Sequence, residues 1–186
     1  MKPVIITILI SLSLFCSQDI SGQSAKKFGC SNGKVHFFAS TAVEDIEATS
    51  NSAACVFDMS TIKISAKVGM TSFEFKRKKM QDDFNEDYAE STKFPYAMLD
   101  AVITNTINFS KDGTYDVTLK GTFEMHGVKM DREIKGKLTI KNGQPVNATA
   151  QFEVKLADHK IKVPTIVVVK IAEVVKVDVN FVFNKL

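Results

Sequence analysis

The chain of 186 residues has little of what metal sites and active sites are usually built from. Its three histidines, His36, His126 and His159, lie far apart, with no second ligand at metal spacing, which disfavours a bound metal. None of its three cysteines stands beside a histidine in a nucleophile pattern, so thiol catalysis is disfavoured as well. The sequence contains no Gly-x-Ser-x-Gly elbow, no phosphate-cradling glycine loop and no dinucleotide fingerprint. Lys and Arg exceed Asp and Glu by 24 to 21, too small an excess to suggest a nucleic-acid partner. After the N-terminus no apolar run approaches the roughly 18 residues of a spanning helix, so the body of the chain is not read as an integral membrane protein. There is no internal repeat, low-complexity tract or linker, and the length fits one domain, which we place at residues 24–186. A non-enzymatic role without a cofactor is the expectation.

What the chain does have begins with a segment that resembles a secretory signal. Lys2 supplies a positive start, Val4 to Phe15 is an apolar stretch too short to span a bilayer, and small polar residues follow. Residues 1–23 are therefore expected to be removed after Gln23, leaving the protein periplasmic or extracellular. A competing reading makes Cys16 a lipid-modified first residue, although Phe15 is bulky where such sites want a small side chain. Export would place Cys30 and Cys55 in an oxidising compartment and implies a disulfide between them, contributing about 3 kcal/mol. The alternative is two buried free thiols.

From Lys34 onward the dominant pattern is alternation of period two, which gives a strand one buried and one wet face. It runs through Tyr115, Val117, Leu119, Gly121, Phe123 and Met125, then through Ile134 to Ile140, Val146 to Leu156 and Val175 to Phe183. Lys111-Asp112-Gly113 and Asn142-Gly143 are short hairpin signals between successive strands. Earlier strands are expected at Val35 to Ser40, at Ile62 to Met70 with a bulge near Gly69, and along Ala97 to Phe109. Ala42 to Ala54 reads as a loop, Asp158 to Pro164 as a polar link, and Thr165 to Val169 as an irregular strand. One segment departs from the period: Lys76 to Ala89 spaces Met80, Phe84 and Tyr88 four apart, one stripe of a short amphipathic helix. Its first turn is basic, the wrong sign for that end of the helix dipole. Either these cations form a solvated face or they flank an opening and meet an anionic head group. The expected fold is all-β: an antiparallel barrel of about eight strands with one short helix, because closure removes exposed edges.

A run of ordered landmarks then carries a family resemblance. Gly33-Lys34-Val35-His36-Phe37 is followed by Phe73-Glu74-Phe75 and Tyr88-Ala89-Glu90-Ser91-Thr92-Lys93-Phe94-Pro95. Asp112-Gly113-Thr114-Tyr115, Gly121 through Val128, Asp158 and Val163-Pro164 complete the set. In their order and spacing the chain resembles the YceI-like family of secreted bacterial proteins, although within the first third the loop Ala42 to Ala54 and the two cysteines match no landmark. The resemblance implies an extended, lipocalin-like barrel that binds a polyisoprenoid or similar lipid inside, a quinone-like molecule among the options.

An interior of that kind would be lined by Phe37, Phe73, Phe75, Leu99, Ala101, Ile103, Tyr115, Leu119, Phe123, Leu138, Phe152 and Phe181. The small residues Ala101, Gly121, Gly136, Ala148 and Ala150 would leave it space. Candidates for a head-group contact are Lys76, Lys78, Asn105 and His126. The ligand would be carried or sequestered, and a homodimer stays open. The rival expectation is a filled barrel acting through its surface, as an envelope-stress or partner-binding protein.

Overall fold

The computed structural model describes residues 26–40, 45–162 and 173–186. The alternating segments all become strands. β6 (Gly113–Met125), β7 (Val128–Lys141), β8 (Gln144–Lys155) and β9 (Val174–Val182) form a continuous antiparallel run. Two of its hairpins close on two residues, His126-Gly127 at φ 52° and 69° and Asn142-Gly143 at φ 52° and 73°. Both residues of each turn are left-handed, the hand that matches the twist of the flanking strands.

Ahead of these come β1 (Lys27–Ser40), β2 (Asp45–Asp58), β3 (Lys63–Gly69), β4 (Glu74–Phe75), α1 (Lys78–Asp83), a π-type turn at Phe84–Tyr88, and β5 (Tyr96–Ile103). β10 (Asn184–Lys185) ends the chain. Neighbours run β1, β9, β8, β7, β6, β5, β3, β2 and back to β1, so eight antiparallel strands close into a barrel. β4 and β10 add short pairings on β2 and β1. Closure satisfies the backbone groups that an open edge would leave unpaired.

Four expectations from the sequence need correction. From Asp45 onward the stretch read as a loop is most of β2, missed because its buried side chains there, Ala48, Ser50 and Ala53, are small, before Cys55 and Phe57 continue the inward face. Their phase jumps between Ser50 and Ala53, just as that of β1 jumps between Cys30 and Gly33, so each strand carries an extra residue against the other. Near Gly69 there is no bulge. The chain makes a 3-10 turn, Met70–Ser72, and crosses to β2, held by Ser72 Oγ donating to the Gly69 carbonyl at 2.6 Å and by a 2.7 Å contact with Ser50 Oγ. β5 ends at Ile103, short of Phe109, since the Asn105 side chain takes over the ladder. Its Nδ2 donates to Asp116 O (2.9 Å) and its Oδ1 accepts from Thr118 N (2.7 Å). Lastly, the polar link contains a 3-10 turn, Leu156–His159, in which His159 is fully buried. The expected signal segment 1–23 with Cys16, and the run Thr165 to Val169, lie outside the described residues.

One end of the barrel is packed shut. Phe57 packs at a tilt against Phe109 and Phe183, ring centroids 6.3 Å apart in each pair, while Tyr115 donates its hydroxyl to the carbonyls of Lys111 (2.7 Å) and Asn108 (3.0 Å).

Candidate functional site

Above that base the inward side chains leave a continuous apolar hollow of about 440 Å³. This lies within the range of roughly 300–1,000 Å³ typical of small-molecule pockets. A cavity of about 150 Å³ holds one benzene, so by proportion the hollow takes roughly 18 carbons. Each of the eight barrel strands lines it, from Val35 and Phe37 on β1 round to Val177 and Phe181 on β9.

Ten of the twelve expected lining residues are on its wall: Phe37, Phe73, Phe75, Leu99, Ile103, Leu119, Phe123, Leu138, Phe152 and Phe181. Ala101 and Tyr115 are not. Ala101 is buried against Gly121, and Tyr115 belongs to the closed base. Gly121 likewise leaves no room for a guest: a Cβ there would overlap the Asp100 carbonyl and lie 2.7 Å from Ala101 Cβ. Its smallness lets β5 and β6 approach. Gly136, Ala148 and Ala150 do border the hollow.

Sequence reasoning did not place the helix on the wall. Met80, Phe84 and Tyr88 all line the cavity while remaining only half-buried, so their stripe roofs the hollow. Phe84 sits among Phe37, Phe73 and Phe75 with ring centroids 5.5, 5.9 and 5.0 Å away. Its four-residue spacing was the signal, legible as a helix but silent on what the helix covers.

The four expected head-group contacts are engaged elsewhere. Lys76 pairs with Glu47 at 2.5 Å, and Lys78 with Asp82 at 2.9 Å, with lysine side chains 80% and 87% exposed. These cations therefore form the solvated face. The Glu47 carboxylate beside it raises the Lys76 pKa, and Lys76 followed by His36 lowers that of Glu47. Asn105 is spent on the β6 ladder.

His126 sits in a brace beside the cavity. Its Nδ1 donates to His159 O at 3.0 Å, and its Nε2 lies 2.7 Å from Glu90 Oε2. The ring also packs on Phe94 at 4.3 Å, while Ser91 Oγ donates to Asn85 Oδ1 at 2.6 Å. The brace ties the segment after the helix to the β6–β7 hairpin and to the 3-10 turn, a structural use of the His-Gly-Val and Glu-Ser landmarks.

His159 Nδ1 donates to Met125 O at 3.1 Å, which leaves the buried Nε2 without a partner. Burial, with Arg132 adding, holds its pKa below the ordinary 6.5. Below pH 6.5 the unfolded chain binds a proton that the folded one refuses, so stability present above that pH falls as the solution is acidified. Thermal melting at about pH 7.5 and about pH 5.5 should show a smaller acid loss for His159→Gln than for the parent. Equal losses would remove His159 from the account.

Cys30 and Cys55 face each other as register partners on β1 and β2. Both are buried free thiols in this structure, so the bond expected between them is not formed here. Burial, with Cys30 alongside, pushes the Cys55 thiol up to about 12 and keeps it protonated.

A family model for the YceI-like domain matches residues 20–183. No curated protein matches the sequence. Among solved structures, a polyisoprenoid-binding domain from Saccharophagus degradans, implicated in plant cell wall breakdown, superimposes with a TM-score of 0.67 at 11% identity, covering 87% of this chain and 99% of that one. BcnA from Burkholderia cenocepacia gives 0.62 at 16% identity, over 81% and 95%. A Campylobacter jejuni YceI protein gives 0.52 at 15%, over 73% and 80%. At these identities the likeness is one of fold.

Proposed function

Because the chain belongs to the YceI-like family, we propose that it binds a long-chain isoprenoid or similar lipid in its barrel and carries or sequesters it outside the cytoplasm. The observation that supports this most is the continuous apolar hollow bordered by all eight strands and roofed by the helix stripe. Family membership and the polyisoprenoid-binding neighbour from Saccharophagus degradans point the same way. The N-terminal segment read as a signal supports the location.

Energetics favour a long guest. Burying a methylene gains about 0.8 kcal/mol, so roughly 18 carbons give on the order of 14 kcal/mol gross, against an association cost of about 4–15 kcal/mol. A short chain would not offset that cost. The role is binding without chemistry: among the described lining residues the polar side chains are Lys67, Asp83, Tyr88, Lys137 and Thr149. Lys67 lies over the Tyr96 ring and Lys137 pairs with Asp116, both at the outer surface. The hollow also argues against the rival reading of a filled barrel acting only through its surface.

The test is organic extraction of the protein purified from its native host, with mass spectrometry of the extract. An apolar chain recovered in near-stoichiometric amount is expected. Protein that yields none and takes up none from detergent-solubilised lipid would end this reading.

A further inference from the structure

The barrel wall is parted along half of one seam. β7 pairs with β8 only from Gly136 opposite Ala150 to Lys141 opposite Gln144. Above that point residues 128–135 keep their partners on β6 and residues 151–155 keep theirs on β9, but the two stretches do not pair with each other. Just below the parting the strands are close: a Cβ on Gly136 would lie 2.6 Å from the Thr149 carbonyl oxygen. A second cavity occupies the parted part. It is bordered by Ile134 and Phe152, which also line the hollow, and by Glu133, Lys135, Gln151 and Glu153 at the alternate positions of the same strands. Alternation sends these two sets to opposite faces of a sheet, so a cavity that touches both lies between the strands, in the plane of the wall. Through Ile134 and Phe152 it adjoins the hollow.

The opening has a frame and one latch. Its top is the 3-10 turn Leu156–His159, tied to the β6–β7 hairpin by His159 Nδ1 on Met125 O and His126 Nδ1 on His159 O. Among the described residues one hydrogen bond crosses it, from the Arg132 guanidinium to the Glu153 carbonyl, where ladder bonds would otherwise run. Arg132, Lys135 and Lys155 border it together with Glu133, Glu153 and Asp158, so the rim has no net charge to favour or repel a passing head group. Resting on the lipid-binding reading above, we propose that the guest enters and leaves the hollow sideways, through the parted β7–β8 seam, with Arg132 as the latch. Widening this opening breaks a side-chain bond at the surface, which water replaces. Lifting the roof would instead pull Phe84 away from Phe37, Phe73 and Phe75, apolar rings for which water is no substitute. The opposite end is packed shut around Phe57.

Stopped-flow mixing of a fluorescent prenol with the delipidated full-length protein gives both rate constants. Lys135→Cys combined with Gln151→Cys puts thiols on the first unpaired residues of the two strands, and oxidation sews the seam upward from Gly136 and Ala150. Peptide mass spectrometry identifies which cysteines are joined, Cys30 and Cys55 included. Sewing is expected to slow association and dissociation together by about tenfold or more while Kd stays within about threefold, because a portal alters the path and not the bound state. Reductant should restore both rates. Arg132→Ala should speed both by about threefold or more. Glu47→Cys with Lys76→Cys, which ties the chain just before the helix to β2, should leave them within about twofold. Rates unmoved by the sewn seam, or slowed only by the tie at the helix, overturn lateral entry and leave lipid binding standing. Should the seam cross-link fail to form, parental rates in Arg132→Ala that melts as a folded protein overturn it equally. Failure of the folded parent to bind the prenol overturns both.

Discussion

Gly121→Val is expected to destroy the closed barrel. A Cβ at this position would overlap the Asp100 carbonyl and Ala101 Cα, and those are backbone atoms of the strand that pairs directly with it. Neither a rotamer change nor a small side-chain shift removes such a clash, so β5 and β6 must part and lose their ladder. Ordinary overpacking costs about 1–3 kcal/mol. With backbone as the obstacle we expect at least about 3 kcal/mol, a large share of the roughly 5–15 kcal/mol by which domains are stable. Urea unfolding followed by far-ultraviolet circular dichroism measures it. Gly69→Val serves as the control, because a Cβ there meets nothing nearer than Ser72 Oγ at 3.8 Å, and it should stay within about 1 kcal/mol of the parent. A parental midpoint for Gly121→Val would show that the strands are not locked by that approach.

Ala150→Phe should do the reverse, sparing the fold and blocking the site. Ala150 borders the hollow on β8, where there is room for a larger side chain to enter. A phenyl ring occupies the space of about one benzene, roughly 150 Å³, and so evicts about six carbons of guest. At about 0.8 kcal/mol for each, the loss approaches 5 kcal/mol, and a fall in affinity of at least about a hundredfold follows. Titration with a fluorescent prenol, alongside a thermal melt, separates the two quantities. A variant that melts like the parent and binds equally well would contradict a hollow used by the ligand. A variant that fails to fold would mean the space is not there.

The barrel was legible wherever one face of a strand is large and apolar and the other polar. Tyr115 to Met125 and Val175 to Phe183 show this over their whole length, and their strands came out where the alternation put them. β2 was missed because Ala48, Ser50 and Ala53 are too small to look like a core face and because the paired bulges reverse their phase midway. The end of β5 was misplaced for a different reason: Asn105 imitates a peptide group with its side-chain amide, which no hydropathy pattern reveals. At the site, period two identified most of the wall but not the roof, since a helix stripe says which residues share a side and nothing about what that side faces. The role of His126 was hidden because its partners, Glu90 and the His159 carbonyl, are distant in sequence.

β1 pairs with β2, its neighbour in sequence, and also with β9, near the other terminus. The hairpins from β5 to β8 involve only short chain segments, so they form quickly, whereas the β1–β9 seam must wait until nearly the whole polypeptide is in place. A chain emerging N-terminus first thus holds β1 with one side unpaired until its last strand arrives. That interval, when an open ladder is available to another molecule, is the step at which newly made protein is most exposed to mispairing and to proteases.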